Sequence, residues 1–230
     1  MYAFSDIEKG TDINMEDIEM EEITYREICP NDYRSIKKLI DEVWNLNQFC
    51  DTEKQLDDSL NIYLQSSLLN ISYGKAAVQN GDVVGVLLGK DDGRQNIVRR
   101  STAIWALAKS SVSLLLHSTK RMRRQLKGVL KISKADQKMM AVQKGDFTGH
   151  IELLIVGKNI QGAGVGKTLV RDFLSYAAQN GKCAIYVHTD TQCNYGFYDS
   201  QGFEQLDSID VTLMDGRQMT LFLYQYTPDG

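Results

Sequence analysis

The segment Gln161-Gly162-Ala163-Gly164-Val165-Gly166-Lys167-Thr168 constrains this chain more than any other. It follows an apolar run over residues 151–156 that is broken only by Glu152. It precedes residues 167–178, where Leu169, Val170, Phe173, Leu174 and Ala177 recur on one helical face. The order is therefore buried strand, turn of small residues, helix. Glycines let a ligand approach the backbone, and the first N–H groups of a helix have no intrahelical acceptor. The positive end of the helix dipole adds about 0.3–1 kcal/mol per negative charge. Such a turn is suited to holding phosphates.

The spacing decides whose phosphates. A nucleotide P-loop, GxxxxGK[ST], ends correctly at Gly166-Lys167-Thr168 but needs glycine at 161, which is Gln. A dinucleotide fingerprint GxGxxG starting at Gly162 or Gly164 needs glycine at 167 or 169, which are Lys and Leu. The pattern [QR]xxGx[GA] is met in full by Gln161, Gly164 and Gly166. Further on come Asn194, the pair Phe197-Tyr198 and then Gly202-Phe203. On these residues, and on the order of strands and helices around them, the chain resembles the GNAT superfamily of acetyl-CoA-dependent N-acetyltransferases over about residues 23–89 and 148–226.

The resemblance implies an α/β (α+β mixed) fold: a mixed, mostly antiparallel sheet with splayed central strands, flanked by helices. It implies acetyl-CoA as co-substrate, with no metal. Leu154, Ile155 and Val156 would line its pantetheine arm, and a backbone N–H near Ile155 or Val156 would stabilise the oxyanion. Gln161, Gly162, Ala163, Gly164, Val165, Gly166 and Lys167 would take its pyrophosphate, and Asn194 would hydrogen-bond it. Tyr198 matches the position of the general acid that protonates the leaving thiolate. For the base, Glu152 and His150 lie two apart on one strand and so share a face. A buried or water-linked Glu is raised toward neutrality and a His titrates there unaided, so both stay open. The acceptor is an amine of a small molecule or a protein. Two other functions remain: a non-catalytic acyl-CoA-binding module, and a P-loop nucleotide-binding enzyme, against which Gln161 stands. His188 and Asp190 either line the substrate cleft or serve packing.

The rest of the chain reads as one acetyltransferase domain over 23–226 with an acidic extension, 1–22, that carries eight Asp or Glu against Lys9. A strand over 23–27 leads to a helix capped by Asn31, with Ile36, Leu39, Ile40 and Val43 inward. A second helix opens at Asp51 or Thr52. Asn80-Gly81 between apolar runs signals a hairpin with a type I′ turn. Residues 90–147 form an insertion. Trp105, Ala108, Val112, Leu115, Met122, Leu126 and Val129 predict the stripe of one long amphipathic helix. Between Arg99 and Lys134 there are ten Lys or Arg and no acidic residue. Three readings of this basic helix stand side by side: a lid over the acceptor site, a dimer or partner face, and a solvated helix or patch drawn to anionic membrane or RNA.

Composition narrows the setting. A net charge of −4 argues against a chain built to grip nucleic acid backbone. No apolar run reaches the roughly 20 residues of a membrane span, and residues 1–10 have neither the basic nor the apolar part of a signal peptide. The four cysteines, Cys29, Cys50, Cys183 and Cys193, lack CxxC spacing. They are read as free thiols of a cytoplasmic protein, with Cys183 opening a core strand.

Overall fold

The computed structural model describes residues 22–143, 145–179, 181 and 184–228, with Gln125 described by its backbone only. The acidic extension, apart from Glu22, and Cys183 lie outside the described residues. Seven strands form one sheet: β1 (Thr24–Glu27), β2 (Tyr73–Gln79), β3 (Asp82–Asp91), β4 (Gly149–Val156), β5 (Ile185–Asp190), β6 (Glu204–Thr212) and β7 (Gln218–Tyr226). Their order across the sheet is β1-β2-β3-β4-β5-β7-β6, and every neighbouring pair is antiparallel except β4–β5. This is the mixed, mostly antiparallel sheet expected.

Helices cover both faces. On one face α5 (Val165–Ala178) buries Val165, Leu169, Val170, Phe173 and Ala177 against Leu87, Ile151, Ile185 and Val187. On the other, α1 (Tyr33–Trp44) and α2 (Glu53–Leu68) bury Ile36, Leu39, Ile40, Leu60, Leu64 and Leu68 against Val86, Leu88, Leu153 and Ile155. Local signals explain the joints. Asn80 and Gly81 have φ of 53° and 80°, as a type I′ turn requires between β2 and β3. The Thr52 hydroxyl accepts the Gln55 N–H at 3.2 Å and caps α2. The expected cap at Asn31 is corrected: residues 30–32 make a single 3₁₀ turn, and Asp32 accepts the Cys29 N–H at 2.8 Å and two bonds from Arg26 at 2.7 Å. The bidentate guanidinium holds the Asp32 carboxyl down at about 2.

The segment 90–147 departs from expectation in one way. It is two helices, α3 (Arg100–His117) and α4 (Lys120–Val142), parted at Ser118-Thr119, where the Thr119 hydroxyl accepts the Met122 N–H and starts α4. The stripe faces outward: Trp105, Val112, Leu115, Leu126 and Val129 are exposed, and of its larger members only Met122 is buried. α3 instead lies on α2 through Ala103, Leu114 and a seam of polar contacts. Ser110 accepts from Asn61 at 2.7 Å, Ser113 donates to Asp58 at 2.6 Å, and Gln55 donates to the His117 carbonyl at 2.8 Å. α4 packs Ala135 and Met139 on Val211, Met219, Leu221 and Leu223 of β6 and β7.

The central strands splay. β4 and β5 pair only at Gly149–Ile185, His150–Tyr186 and Ile151–Val187. Beyond that, β4 stays with β3 to Val156 and β5 stays with β7 to Asp190, so the two halves of the sheet part.

Candidate functional site

The parting of β4 from β5 leaves a sheet edge in the middle of the molecule. In an antiparallel pair alternate residues direct their N–H and C=O groups away from the partner. Along residues 152–156, those groups of β4 that do not serve β3 face the gap. Unpaired groups of this kind require a partner.

At the far end of β4 the chain enters the glycine turn. Gln161 reaches back and donates from Nε2 to the Val156 carbonyl at 3.3 Å, fixing the turn to the strand end. Gly162 and Gly164 have φ of 87° and 81°, and a Cβ at either would meet nothing within 4 Å. Their requirement is conformational, and the space above them is open. Within the turn the Ala163 N–H bonds the Ile160 carbonyl at 3.2 Å. The Thr168 N–H makes the first bond of α5, to Gly164, so the N–H groups of Val165, Gly166 and Lys167 form its unsatisfied first turn. That turn is wedged tightly. A Cβ on Gly166 would lie 3.4 Å from the Phe197 ring and 3.6 Å from Val156, and one on Gly85 would lie 2.9 Å from Val165. Beyond it, a hollow of about 410 Å³ is lined by Lys167, Val170, Arg171, Leu174, Gln201 and Tyr226.

Glu152 occupies a special position. The β3–β4 register passes from Leu88–Leu153 to Gly89–Ile151, so Glu152 is the extra residue of a β-bulge. The bulge inverts the faces of the strand: Ile151 lies in the α5 cluster, whereas Leu153, two residues on, lies in the α1–α2 cluster. His150 Nε2 sits 3.5 Å from Glu152 Oε2, so these two share a face as expected. His150 also stacks on Tyr186 at 5.1 Å.

Around this pair the fold gathers residues from four other elements. Tyr186, His188 and Asp190 alternate along β5 on the same face. Tyr63 of α2 lies against Trp44 of α1, with ring centroids 5.1 Å apart. Burial first, then the charges of Glu152, Cys193 and Asp190, push the Tyr63 phenol up. Asp136 comes from α4, with Oδ1 3.4 Å from His188 Nδ1, within ion-pair reach but without hydrogen-bond geometry. Burial and then Asp190 push Asp136 up to about 6, while burial and then His150 push His188 down to about 4. Burial also raises Asp190, against opposing bonds from the Gln192 and Cys193 N–H groups. The result is an acidic, aromatic cleft over the point where the strands separate.

Sequence reading named His150, Glu152, His188 and Asp190 here but missed Tyr63, Tyr186 and Asp136. Tyr186 was legible as the start of the alternation with His188 and Asp190. Asp136 was legible as the first acid after a run of ten cations. Tyr63 carried no signal apart from its place on α2.

Tyr198 is not brought to this cleft. It lies on α6 (Gly196–Ser200), on the α5 side of the sheet, 8% exposed and edge-on to Phe197 and Phe203. Burial, then Cys193, pushes its phenol up, so it stays protonated at neutral pH. Asn194 is exposed, and its carbonyl accepts the Phe197 N–H at 3.1 Å, while α6 has no side-chain cap. Among the described residues, Cys29, Cys50 and Cys193 are free thiols, and no group of three His, Cys, Asp or Glu could hold a metal ion.

Residues 119–203, from the cap of α4 through β4, the glycine turn, α5, β5 and α6, match the model of the acetyltransferase (GNAT) family. A search of curated protein sequences found no match. Among solved structures, the chain is similar to the histone acetyltransferase HPA2 and related acetyltransferase from Corynebacterium glutamicum, at 16% identity and a TM-score of 0.55, over 90% of this chain and 98% of that one. It is similar to the ribosomal-protein-S18-alanine N-acetyltransferase from Escherichia coli at 11% identity and 0.52, over 91% and 96%. A third is yncA of Salmonella typhimurium, a structure with acetyl-CoA, at 18% identity and 0.50, over 91% and 95%. At these identities the likeness is one of fold.

Proposed function

From the premise that residues 119–203 match the GNAT acetyltransferase family and that the chain has that fold, we propose that this protein is an N-acetyltransferase. It moves an acetyl group from acetyl-CoA to an amine. One observation carries the reading: β4 leaves β5 after Ile151, and the free length of β4 runs directly into a glycine turn whose helix start has unsatisfied donors.

The residues present fit acetyl-CoA. The open space over Gly162 and Gly164 and the first-turn N–H groups of Val165, Gly166 and Lys167 suit a pyrophosphate. The gap-facing backbone over Leu154, Ile155 and Val156 suits the amides of pantetheine, and Lys167 with Arg171 borders a hollow for the nucleotide end. Gln161 is a positioning residue that ties the turn to Val156. Asn194 is exposed next to α6 and open to the same ligand.

Acetyl-CoA supplies an activated acetyl thioester. The chain supplies the proton handling, and it does so from opposite sides of the gap. On the cleft side, Glu152, Asp136 and Asp190 attract a cationic amine, and Glu152 takes its proton, directly or through water, with His150 beside it to share that charge. A backbone N–H of β4 near Ile155 or Val156 faces the developing oxyanion. On the other side, Tyr198 holds a proton ready for the departing thiolate.

Calorimetry with acetyl-CoA and with ATP, followed by turnover on a panel of amines, tests the reading. Acetyl-CoA binds and ATP does not. Tyr198→Phe lowers kcat by about 10²–10⁴-fold and leaves acetyl-CoA affinity within a factor of a few. Tight acetyl-CoA binding without turnover on any amine would instead identify a binding module, and ATP binding would identify a nucleotide enzyme.

A further inference from the structure

α3 is amphipathic in the reverse sense. Its polar residues Ser110 and Ser113 point inward to Asn61 and Asp58, while Ile104, Trp105, Val112, Leu115 and Leu116 point out, between 51% and 77% exposed. At 100° per residue these five fall within one 120° sector of the helix, together with Ala108. α4 continues the pattern, with Leu126, Val129 and Leu130 exposed among Arg123, Arg124, Lys127, Lys131 and Lys134. Nine of the thirteen exposed large hydrophobics of the described residues belong to these two helices. A helix that buries serines and exposes tryptophan and leucines has an outer face that water does not explain.

We propose that the outer faces of α3 and α4 rest on an anionic lipid bilayer, with the aliphatic side chains and Trp105 in the headgroup boundary and the surrounding Lys and Arg against lipid phosphates. No helix among the described residues is long and apolar enough to cross a membrane, so the contact is interfacial. Charge selects this occupant. Residues 99–134 carry ten cations and no acid. A second copy packed symmetrically on the same face would bring cations against cations. RNA offers phosphates but no partner for an aliphatic face, whereas an anionic bilayer satisfies both halves of the pattern. Lys109 already lies 5.5 Å over the Trp105 ring, a cation and an aromatic ring side by side at the edge of the apolar sector. The proposal does not depend on the acetyl-transfer reading.

Flotation of the full-length protein with phosphatidylcholine–phosphatidylglycerol vesicles, and with phosphatidylcholine alone, is the direct measurement. Binding occurs to the anionic vesicles only and weakens with salt. Replacing Lys120, Arg124 and Lys127 by Gln lowers partition by roughly fivefold per cation, on the order of a hundredfold together. Trp105→Ser with Leu116→Ser lowers it about tenfold or more at unchanged charge. Both variants change exposed residues, and an unchanged melting midpoint shows that each is folded. In Trp44→Phe, Trp105 is the remaining tryptophan, and its emission shifts to the blue on anionic vesicles. The proposal is overturned by no anionic binding at low salt, by binding that neither variant weakens, or by an unshifted Trp105. It is equally overturned by a dimer that Trp105→Ser and Leu116→Ser dissociate, or by RNA binding without vesicle binding.

Discussion

α5 and α3 are both two-faced helices, yet they bury opposite chemistries. α5 turns Val165, Leu169, Val170, Phe173 and Ala177 to the sheet, each at most 3% exposed. α3 turns Ser110 and Ser113 to α2 beside Ala103 and Leu114, and leaves Ile104, Trp105, Val112, Leu115 and Leu116 in solvent. An apolar stripe therefore reports that a helix has a face to cover without reporting what covers it. Where the sheet is the cover, burial drives the docking. Where it is not, hydrogen bonds between neighbours set the contact and the apolar face stays available.

The contrast is broken most sharply at Phe173. Its ring fills the space over Gly89, where a Cβ would come within 2.5 Å of it, and tilts against Tyr73 at 5.3 Å. Phe173→Ala lowers unfolding free energy by about 3–5 kcal/mol, read from urea denaturation. A loss below about 1 kcal/mol would mean that α5 is no better anchored than α3. The next largest effect belongs to the polar seam. Ser110 is 5% exposed and accepts the Asn61 amide. Ser110→Ala strands that donor and costs about 1–3 kcal/mol. An unchanged midpoint would show that Ala103 and Leu114 alone hold α3.

α4 differs from both by carrying a titrating group into the cleft. His188 is lowered from 6.5 to about 4, so the unfolded chain takes its proton first. The stability from this group is complete above pH 6.5 and lost as pH falls toward 4. Asp136 is raised from 3.8 to about 6, so the folded chain takes its proton first. That contribution is complete below pH 3.8 and lost as pH rises through 6. Between pH 4 and 6 the two slopes oppose. Asp136→Asn exposes the His188 slope and loses stability on acidification. His188→Gln exposes the Asp136 slope and gains it. Each amounts to about 1 kcal/mol once partial exposure is discounted. Urea midpoints across this range that coincide for wild type and both variants would remove Asp136 from the cleft.

Legibility in the sequence followed the same divide. The sheet, α5 and the glycine turn were readable because period, turn residues and burial agree there: Asn80-Gly81 takes the backbone its residues favour, and the stripe on 167–178 is the stripe that α5 buries. The pairing of His150 with Glu152 was readable from strand period, although a bulge, which no residue type announces, creates the position of Glu152. Residues 90–147 were misread because one periodic stripe was taken to mean one continuous helix. The break at Ser118-Thr119 depends on a cap whose serine and threonine also occur inside helices. Tyr63 and Asp136 reach the site only through tertiary packing of α2 and α4, which local patterns do not encode. The distance between Tyr198 and the cleft is likewise a matter of which face of the sheet α6 lies on.

The finest test compares the same substitution on the two helices. Val170 of α5 is 1% exposed and Val112 of α3 is 57% exposed. Val170→Ala removes two buried methyl groups and leaves a small cavity, a loss of roughly 2 kcal/mol. Val112→Ala removes the same atoms from water. It forgoes little burial and gains helix propensity by replacing a β-branched residue, so stability moves by no more than about 0.5 kcal/mol and in the favourable direction. The pair is measured by urea unfolding at one pH, and the difference between the two variants is the quantity of interest. Should Val112→Ala cost as much as Val170→Ala, the outer face of α3 is covered in the free protein, by residues 1–21 or by another copy. Its apolar sector would then be core rather than surface.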